Sequence, residues 1–415
     1  MGVILSLMAF PESSFPLGDT AALLKGWALE EGFDRAGVAS LEPAEHGAAF
    51  LRWLERGDQA GMGYLGRRVE ARLEPATIFP GARSALCVAL QYAPLQDEQG
   101  ETIPEPGGDL WPRVARYARG RDYHDVMERR LKRLASRIAA AFPGVVTRPY
   151  VDTGPVLERD LAARAGLGVV GKNTNLLHRR AGSWFLLGEI FLTLDLSPDA
   201  PLTDLCGRCT LCLQACPTGA LPEPYRLDAN RCISYWTIEH RGAFPPAVRE
   251  GIGDWVFGCD ICQEVCPWNR KSGAPGAHHP ELELPPRRAG LDLVGLLLLR
   301  REEFIERFQV SPMKRPKLEG LQRNAAVAMG NRGEPRYVAP LALALAEGEA
   351  LVRAHAAWAL GRIGGEEARR ALAEALENEA DEEVRAEIRQ ALAPVFAAPD
   401  SPERTMCATA GEGRN

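Results

Sequence analysis

The chain has 415 residues, 46% hydrophobic and 25% charged, which is enough for about two to four globular domains and argues against extended disorder. Its 49 Lys and Arg against 55 Asp and Glu leave a net charge of −6, so nucleic-acid binding would need a local basic patch rather than the field of the whole molecule. No run approaches the ~20 apolar residues of a membrane helix; the longest, residues 291–299, is interrupted by Asp292.

Residues 3–10 are apolar but follow no basic segment, and no twin-arginine motif is present, so the start makes a poor export signal. Met1-Gly2-Val3-Ile4-Leu5-Ser6 matches the short myristoylation pattern, which chance often supplies. The expectation is a soluble cytoplasmic protein.

A mixed α/β region follows. Residues 19–31 read as a helix capped by Asp19, and residues 84–92 (SALCVALQY) as a buried strand. Residues 96–112, with three prolines and three glycines, read as a loop. Residues 125–142 carry apolar side chains at helical spacing, residues 145–151 read as a strand, and residues 155–165 as a helix with Pro155 near its first turn. Residues 183–194 are a further strand region.

Three motifs in this region are ambiguous. Residues 166–171 match GxGxxG, but a helix rather than a strand precedes them, so they read as a glycine-rich turn. Residues 122–127 approach the DxHxxG motif that ligates cobalamin through histidine and fail it at Met127. Asp152 stands just past a strand and before Gly154-Pro155. Residue physics favours a helix cap there over a proton donor at a strand's carboxyl end. His124 is either satisfied packing or a site residue.

Of ten cysteines, eight lie between Cys206 and Cys266. With no export signal, metal ligation fits them better than disulfides. Cys206-x2-Cys209-x2-Cys212-x3-Cys216-Pro217 is the bacterial ferredoxin run, in which the fourth cysteine serves the other cluster. Its partner run, Cys259-x2-Cys262-x3-Cys266-Pro267, has Val256 where a further cysteine belongs, and Cys232 is the replacement. The spacing predicts one [4Fe–4S] on Cys206, Cys209, Cys212 and Cys266, and another on Cys216, Cys232, Cys259 and Cys262. Structural zinc is the competing reading, and two runs ending in Cys-Pro fit it poorly. Two cubes imply electron relay.

Residues 269–286 form a Pro/Gly/His-rich connector. Beyond it, Ala326-Val327-Ala328-Met329-Gly330 recurs 31 residues later as Ala357-Trp358-Ala359-Leu360-Gly361, with a weaker copy at residues 389–392. Together with the helix expected over residues 366–377 (EEARRALAEALE), this suggests a HEAT-like array, an ordinary helical bundle being the alternative. The tail from Ala397 is polar and reads as frayed.

RYARGRDYH (116–124), YVDTGPVLERDLAARAGLG (150–168), GKNTNLL (171–177), the Cys206 run, CISYWTIEHRG (232–242) and FGCDICQEVCPWN (257–269) together resemble the epoxyqueuosine reductase family over essentially the whole chain. The resemblance implies an α+β multidomain protein with an N-terminal α/β cobalamin-binding domain (1–200), a ferredoxin-like domain with two [4Fe–4S] clusters (201–270) and C-terminal HEAT-like repeats (287–395). It implies a cytoplasmic, monomeric enzyme that reduces epoxyqueuosine in the anticodon loop of tRNA to queuosine. Co(I) cobalamin without a protein histidine ligand is fed by the clusters, which an external one-electron donor such as a flavodoxin or ferredoxin reduces.

Asp152 matches the family's proton donor, and that role needs a pKa raised by desolvation. Arg72, Tyr123, His124, Asp152, Lys172, Asn173, Ser234 and Asp260 are implied corrin contacts. For tRNA, Lys314, Arg315 and Lys317 in a Pro-flanked loop, with Arg323, supply local positive charge, as does the 113–121 segment (RVARYARGR). The other functional readings are a corrinoid reductive dehalogenase and a non-catalytic iron–sulfur electron carrier.

Overall fold

The computed structural model describes residues 17–93, 112–270, 279–283, 285 and 291–393. The expectations for residues 1–10 and the tail from Ala397, and most of those for the 96–112 loop and the 269–286 connector, lie outside these residues.

A four-stranded sheet runs in the order Arg35–Ser40, Ser84–Gln91, Phe185–Leu192, Thr147–Tyr150. Every pairing is antiparallel, with Ser84 opposite Leu192 and Tyr150 opposite Glu189. All eight residues of the strand Ser84–Gln91 are buried, because both sheet faces are covered. On one face Leu24 and Ala28 of the helix Leu17–Glu30 and Leu131, Leu134 and Ile138 of the helix Tyr123–Ala141 pack on Leu86, Val88 and Ile190. On the other, Leu161 and Ala162 pack on Ala85, Cys87 and Ala89. The N-terminal part is thus mixed α/β, as expected, and the buried strand belongs to an antiparallel sheet covered by helices on both faces.

Helix boundaries differ where caps were misassigned. The first helix begins at Leu17, so Asp19 lies in its first turn rather than at its cap. The helix Tyr123–Ala141 is capped by Asp122, which accepts from the His124 N–H. The next helix, Glu158–Arg164, has Leu157 at its N-cap position and no side-chain cap. Pro155 and Asp152 both lie outside it, which overturns the cap reading of Asp152. The GxGxxG stretch is a turn, as expected: Gly166 has φ +71, and the strand Val169–Val170 pairs with Leu176–Leu177.

The cysteine-bearing segment consists of short pieces, the helices Leu211–Ala215, Pro246–Ile252, Ile261–Glu264 and Pro267–Arg270 and a wide helical turn at Tyr235–Glu239. Its strand Trp255–Phe257 pairs in parallel with Arg113–Val114. One continuous apolar core runs from Val114 and Phe257 into the C-terminal helices.

Those helices are Lys317–Arg332, Val338–Glu347, Ala350–Ile363, Glu366–Asn378 and Glu382–Leu392. The 31-residue recurrence marks where successive layers touch. A Cβ on Gly330 would lie 2.7 Å from Trp358 and 2.9 Å from the Ala359 Cα, and one on Gly361 would lie 2.7 Å from Ala391. None of the described helices is long and apolar enough to cross a membrane.

Arg323, expected to face tRNA, is instead fully buried. It donates to the carbonyls of His240 (3.1 Å), Gly242 (2.8 Å) and Trp236 (3.2 Å). An arginine near a basic cluster reads as surface, but this one points down the helix into the cysteine segment.

The glycine contacts predict that Gly330→Val overpacks the first repeat interface. Urea unfolding of the helical part should show a loss of about 1–3 kcal/mol, and unchanged stability would show that the helices separate without cost.

Candidate active site

The two cysteine runs enter their short helices through glycines in the left-handed region, Gly207 (φ +45) and Gly258 (φ +66). These turns gather the thiols into two groups. Cys206, Cys209, Cys212 and Cys266 line a cavity of about 40 Å³ with Lys172 and Trp268. Cys216, Cys232, Cys259 and Cys262 line another of about 370 Å³ with Tyr92, Tyr117 and Tyr123. These are the two quartets that the spacing predicts, with Cys266 and Cys216 exchanged between runs. Val256 is fully buried in the apolar core and its carbonyl accepts from Asn324, so it stands away from both cavities.

Proximity within each quartet shows in the acidities. Burial pushes the Cys212 thiol up to about 11, with Cys206 and Cys266 adding to it; Cys259 is raised by burial, with Cys232 and Cys216 adding. Backbone N–H groups point at sulfur, Lys172 at Cys206 (3.4 Å) and Ala220 at Cys216 (3.3 Å). Hydrogen bonds of this kind tune cluster potentials.

A larger cavity of about 960 Å³ shares Tyr117 and Tyr123 with the second quartet's cavity. A polar chain crosses its wall. Lys314 Nζ lies 2.8 Å from Asp122 Oδ2, Asp122 Oδ1 lies 2.8 Å from His124 Nδ1, and His124 Nε2 lies 3.1 Å from Asp152 Oδ2. Tyr123 stacks on the imidazole at 4.1 Å between centroids. Asp152 has φ +53, a strained conformation for a residue with a Cβ, and its N–H donates to Glu158 Oε1.

Burial alone would lower the His124 pKa, but its hydrogen bonds to Asp122 and Asp152 push it up to about 9. Burial would likewise raise Asp122, and the bonds from His124 and Lys314 hold it well below the usual carboxylate range. Asp152 follows the same pattern: burial raises it, and His124 with Arg315 and Arg159 more than offsets that. The raised pKa expected of Asp152 is therefore not there; it is lowered instead. At neutral pH the proton of the pair sits on His124. The carboxyl raised beside this pair is Glu158, pushed up to about 8 by burial and by the Asp152 charge.

The expected corrin contacts divide. Tyr123, His124 and Asp152 line the larger cavity, and Tyr123, Asn173, Ser234 and Asp260 line the cavity of the second quartet. Burial pushes Asp260 up to about 6. Arg72 donates to the Val156 carbonyl and feels the charges of Glu158 and Asp152, with its buried Nε left without a partner. Lys172 goes the other way, donating to the carbonyls of Gly207 (2.6 Å) and Cys209 (3.0 Å) over the first quartet.

Lys314, Arg315 and Lys317 all line the larger cavity. Arg315 is held by Glu239 (2.7 Å) and the Tyr64 hydroxyl (3.3 Å), whereas Lys317 is exposed and has no carboxylate partner among the described residues. In the 113–121 segment, Arg113 pairs with Asp254 and Glu264 and Arg121 with Asp125, so much of its charge is matched. The sequence did not single out Glu158, Tyr64, Tyr117, Glu239 or the role of Asp122. Asp122 lay in a failed motif, and Glu158 fell within the expected helix without being singled out.

Three family models match the chain: 4Fe-4S double cluster binding domain (205–269), Epoxyqueuosine reductase QueG, DUF1730 (72–153), and HEAT repeats (318–393). The chain is 42% identical to the epoxyqueuosine reductase of Pseudomonas aeruginosa over 350 residues, covering 83% of this chain and 94% of that protein. A crystal structure of epoxyqueuosine reductase with a tRNA-Tyr epoxyqueuosine-modified stem loop superposes with a TM-score of 0.81 at 31% identity, covering 91% of this chain and 99% of that one. One from Bacillus subtilis, its catalytic aspartate loop swung out of the active site, gives 0.81 at 30% over 91% and 99%.

The lining of the second quartet's cavity predicts that Cys232→Ala halves the iron content, from about eight to about four per chain, since Val256 cannot substitute. About eight irons in the variant would show that Cys232 is not a ligand.

Proposed function

Because the chain belongs to the epoxyqueuosine reductase family, we propose that its two adjoining cavities form one reaction chamber, which receives electrons at the cysteine side and protons at the His124–Asp152 side. The chain is an oxidoreductase that reduces epoxyqueuosine to queuosine. Turning an epoxide into an alkene takes two electrons and two protons and releases the oxygen as water. Identity of 42% over 83% of this chain and 94% of an epoxyqueuosine reductase sets aside the dehalogenase and electron-carrier alternatives.

The residues fit cobalamin. The cavities fall within or near the upper range of ligand pockets and join at Tyr117 and Tyr123. Their walls offer Asn173, Ser234 and Asp260 to a ligand rich in amides. The one imidazole on either wall among the described residues, His124, has both nitrogens engaged, which suits a corrinoid without a protein histidine ligand. Bound there, cobalamin would supply a strongly nucleophilic metal centre rechargeable by single electrons. The quartet Cys216, Cys232, Cys259 and Cys262 lines the same cavity, so the cluster it holds would deliver those electrons directly. The proposed units are residues 1–200, 201–270 and 287–395.

The proton comes from the polar chain. His124 is charged below about pH 9, with Asp122, Asp152, Lys314 and, further off, Glu158 and Arg315 setting its field. As the departing oxygen gains charge, the His124 proton passes through Asp152 to it, leaving a neutral imidazole that regains its proton from water, which also supplies the second proton of the reduction. The Bacillus subtilis relative has an aspartate catalytic loop that is swung out of the active site in its structure; Asp152, two residues past a strand end, is the aspartate of this chain assigned to that place. For tRNA, the exposed Lys317 on the cavity wall would grip backbone phosphate while the modified base, unstacked, enters the chamber.

Asp152→Asn should lower turnover about 10²–10⁴-fold with cofactor content unchanged. His124 would lose one of its two carboxylate partners in that variant. The alkaline limb, near pH 9 in the unaltered enzyme because the imidazolium is lost above it, should therefore move to lower pH. A pH–rate profile with unchanged height and limb would return Asp152 to a structural role. Separately, Lys317→Glu should weaken stem-loop binding several-fold and reduce the salt slope by about 0.7–0.9; an unchanged slope would remove Lys317 from the RNA contact.

A further inference from the structure

The two quartets differ at Cys209, which is exposed, whereas Cys216, Cys232, Cys259 and Cys262 are all only partly so and line the reaction chamber. An electron arriving from outside therefore meets the first quartet first, and what surrounds it selects the carrier.

That surround is basic on a chain whose net charge is −6. Arg208 stands exposed between Gly207 and Cys209. The Arg179 guanidinium lies 6.0 Å from the centre of the Trp268 ring, and this indole lines the quartet's cavity and donates to the Leu205 carbonyl. Arg180 follows, exposed. None of the three arginines has a carboxylate partner among the described residues. The nearby Asp204 is occupied, accepting from the N–H groups of Cys206 and Gly207. Apolar surface is interleaved with this charge: Leu211, 45% exposed, lines the quartet's cavity, and Tyr225, 49% exposed, donates its N–H to the Lys172 carbonyl.

We propose that the face formed by Arg179, Arg180, Arg208, Leu211 and Tyr225 is the docking surface for an acidic one-electron carrier protein. This rests on the reading that Cys206, Cys209, Cys212 and Cys266 hold a cluster. At each encounter the reduced centre of the carrier loses one electron and the iron of the first cluster gains it, with no bond or proton exchanged. Two encounters supply the two electrons that one epoxide consumes. A small apolar centre with a charged, unpaired rim gives fast, weak, salt-sensitive association, which a carrier that must leave after each transfer requires. Tying the quartet loop through Lys172 to the wall that carries Asn173 links this face to the chamber.

The test uses the holoenzyme with both clusters, without oxygen, and a reduced flavodoxin as the probe. Stopped-flow absorbance follows cluster reduction at increasing salt. The second-order rate constant should fall steeply with salt, and should drop about tenfold or more when Arg179→Glu, Arg180→Glu and Arg208→Glu are combined. Reduction by dithionite, iron content and stem-loop affinity should not change. If the triple reversal does not fold, the corresponding glutamine triple should still slow flavodoxin about threefold. Equal rates in variant and unaltered protein would overturn the proposal, and so would no reduction of the unaltered protein by flavodoxin. Lost stem-loop binding with normal reduction would assign the face to RNA and overturn it as well. Failure of the underlying cluster reading is separate: it would show as a Cys209→Ala protein that keeps about eight irons.

Discussion

A single buried cation holds the two halves of the reaction chamber in register. Arg323 has no carboxylate partner among the described residues. Its charge is met by the carbonyls of Trp236, His240 and Gly242, by Asn324 and by the face of Phe244, 3.9 Å from the guanidinium carbon. Burial is costly enough to lower its pKa to about 9, and such a group persists only where its hydrogen bonds are complete. Asn324 extends the joint to the Thr237 and Val256 carbonyls at 2.9 and 2.8 Å. The segment clamped in this way carries Ile238, Glu239 and Arg241 on the larger cavity, and just upstream Cys232 and Ser234 on the other. The helical repeat is thus part of the chamber's frame as well as a neighbour of it.

The sheet positions the opposite wall. Its edge strand Thr147–Tyr150 ends two residues before Asp152, and the helix Tyr123–Ala141 begins at the same cavity with Asp122 capping it. One carboxylate therefore both ends a helix and orients the imidazole that holds the proton. Tyr117 and Tyr123 stand between the proton wall and the second quartet, and burial raises both hydroxyls well above the ordinary tyrosine value. Both hydroxyls therefore stay neutral where the two cavities meet.

What could be read from sequence alone was whatever depended on short spacing. Seven of the eight quartet cysteines follow from gaps of two and three residues, with Cys232 the remaining cysteine of the cluster, and the repeat follows from a small-residue contact recurring every 31. Features set by distant packing were misread. Arg323 looked like surface because its carbonyl acceptors lie more than eighty residues away. Asp152 was legible only through family resemblance. The group that keeps its proton elsewhere, His124, and the carboxyl behind it, Glu158, become visible only when three separate segments meet.

The most direct measurement is mass spectrometry of nucleosides from epoxyqueuosine-containing tRNA incubated with the reconstituted protein and a low-potential reductant. The chamber described here predicts conversion of the modified nucleoside to queuosine, with loss of one oxygen atom and dependence on added cobalamin. Epoxyqueuosine recovered unchanged from a protein carrying both clusters and the corrinoid would contradict it.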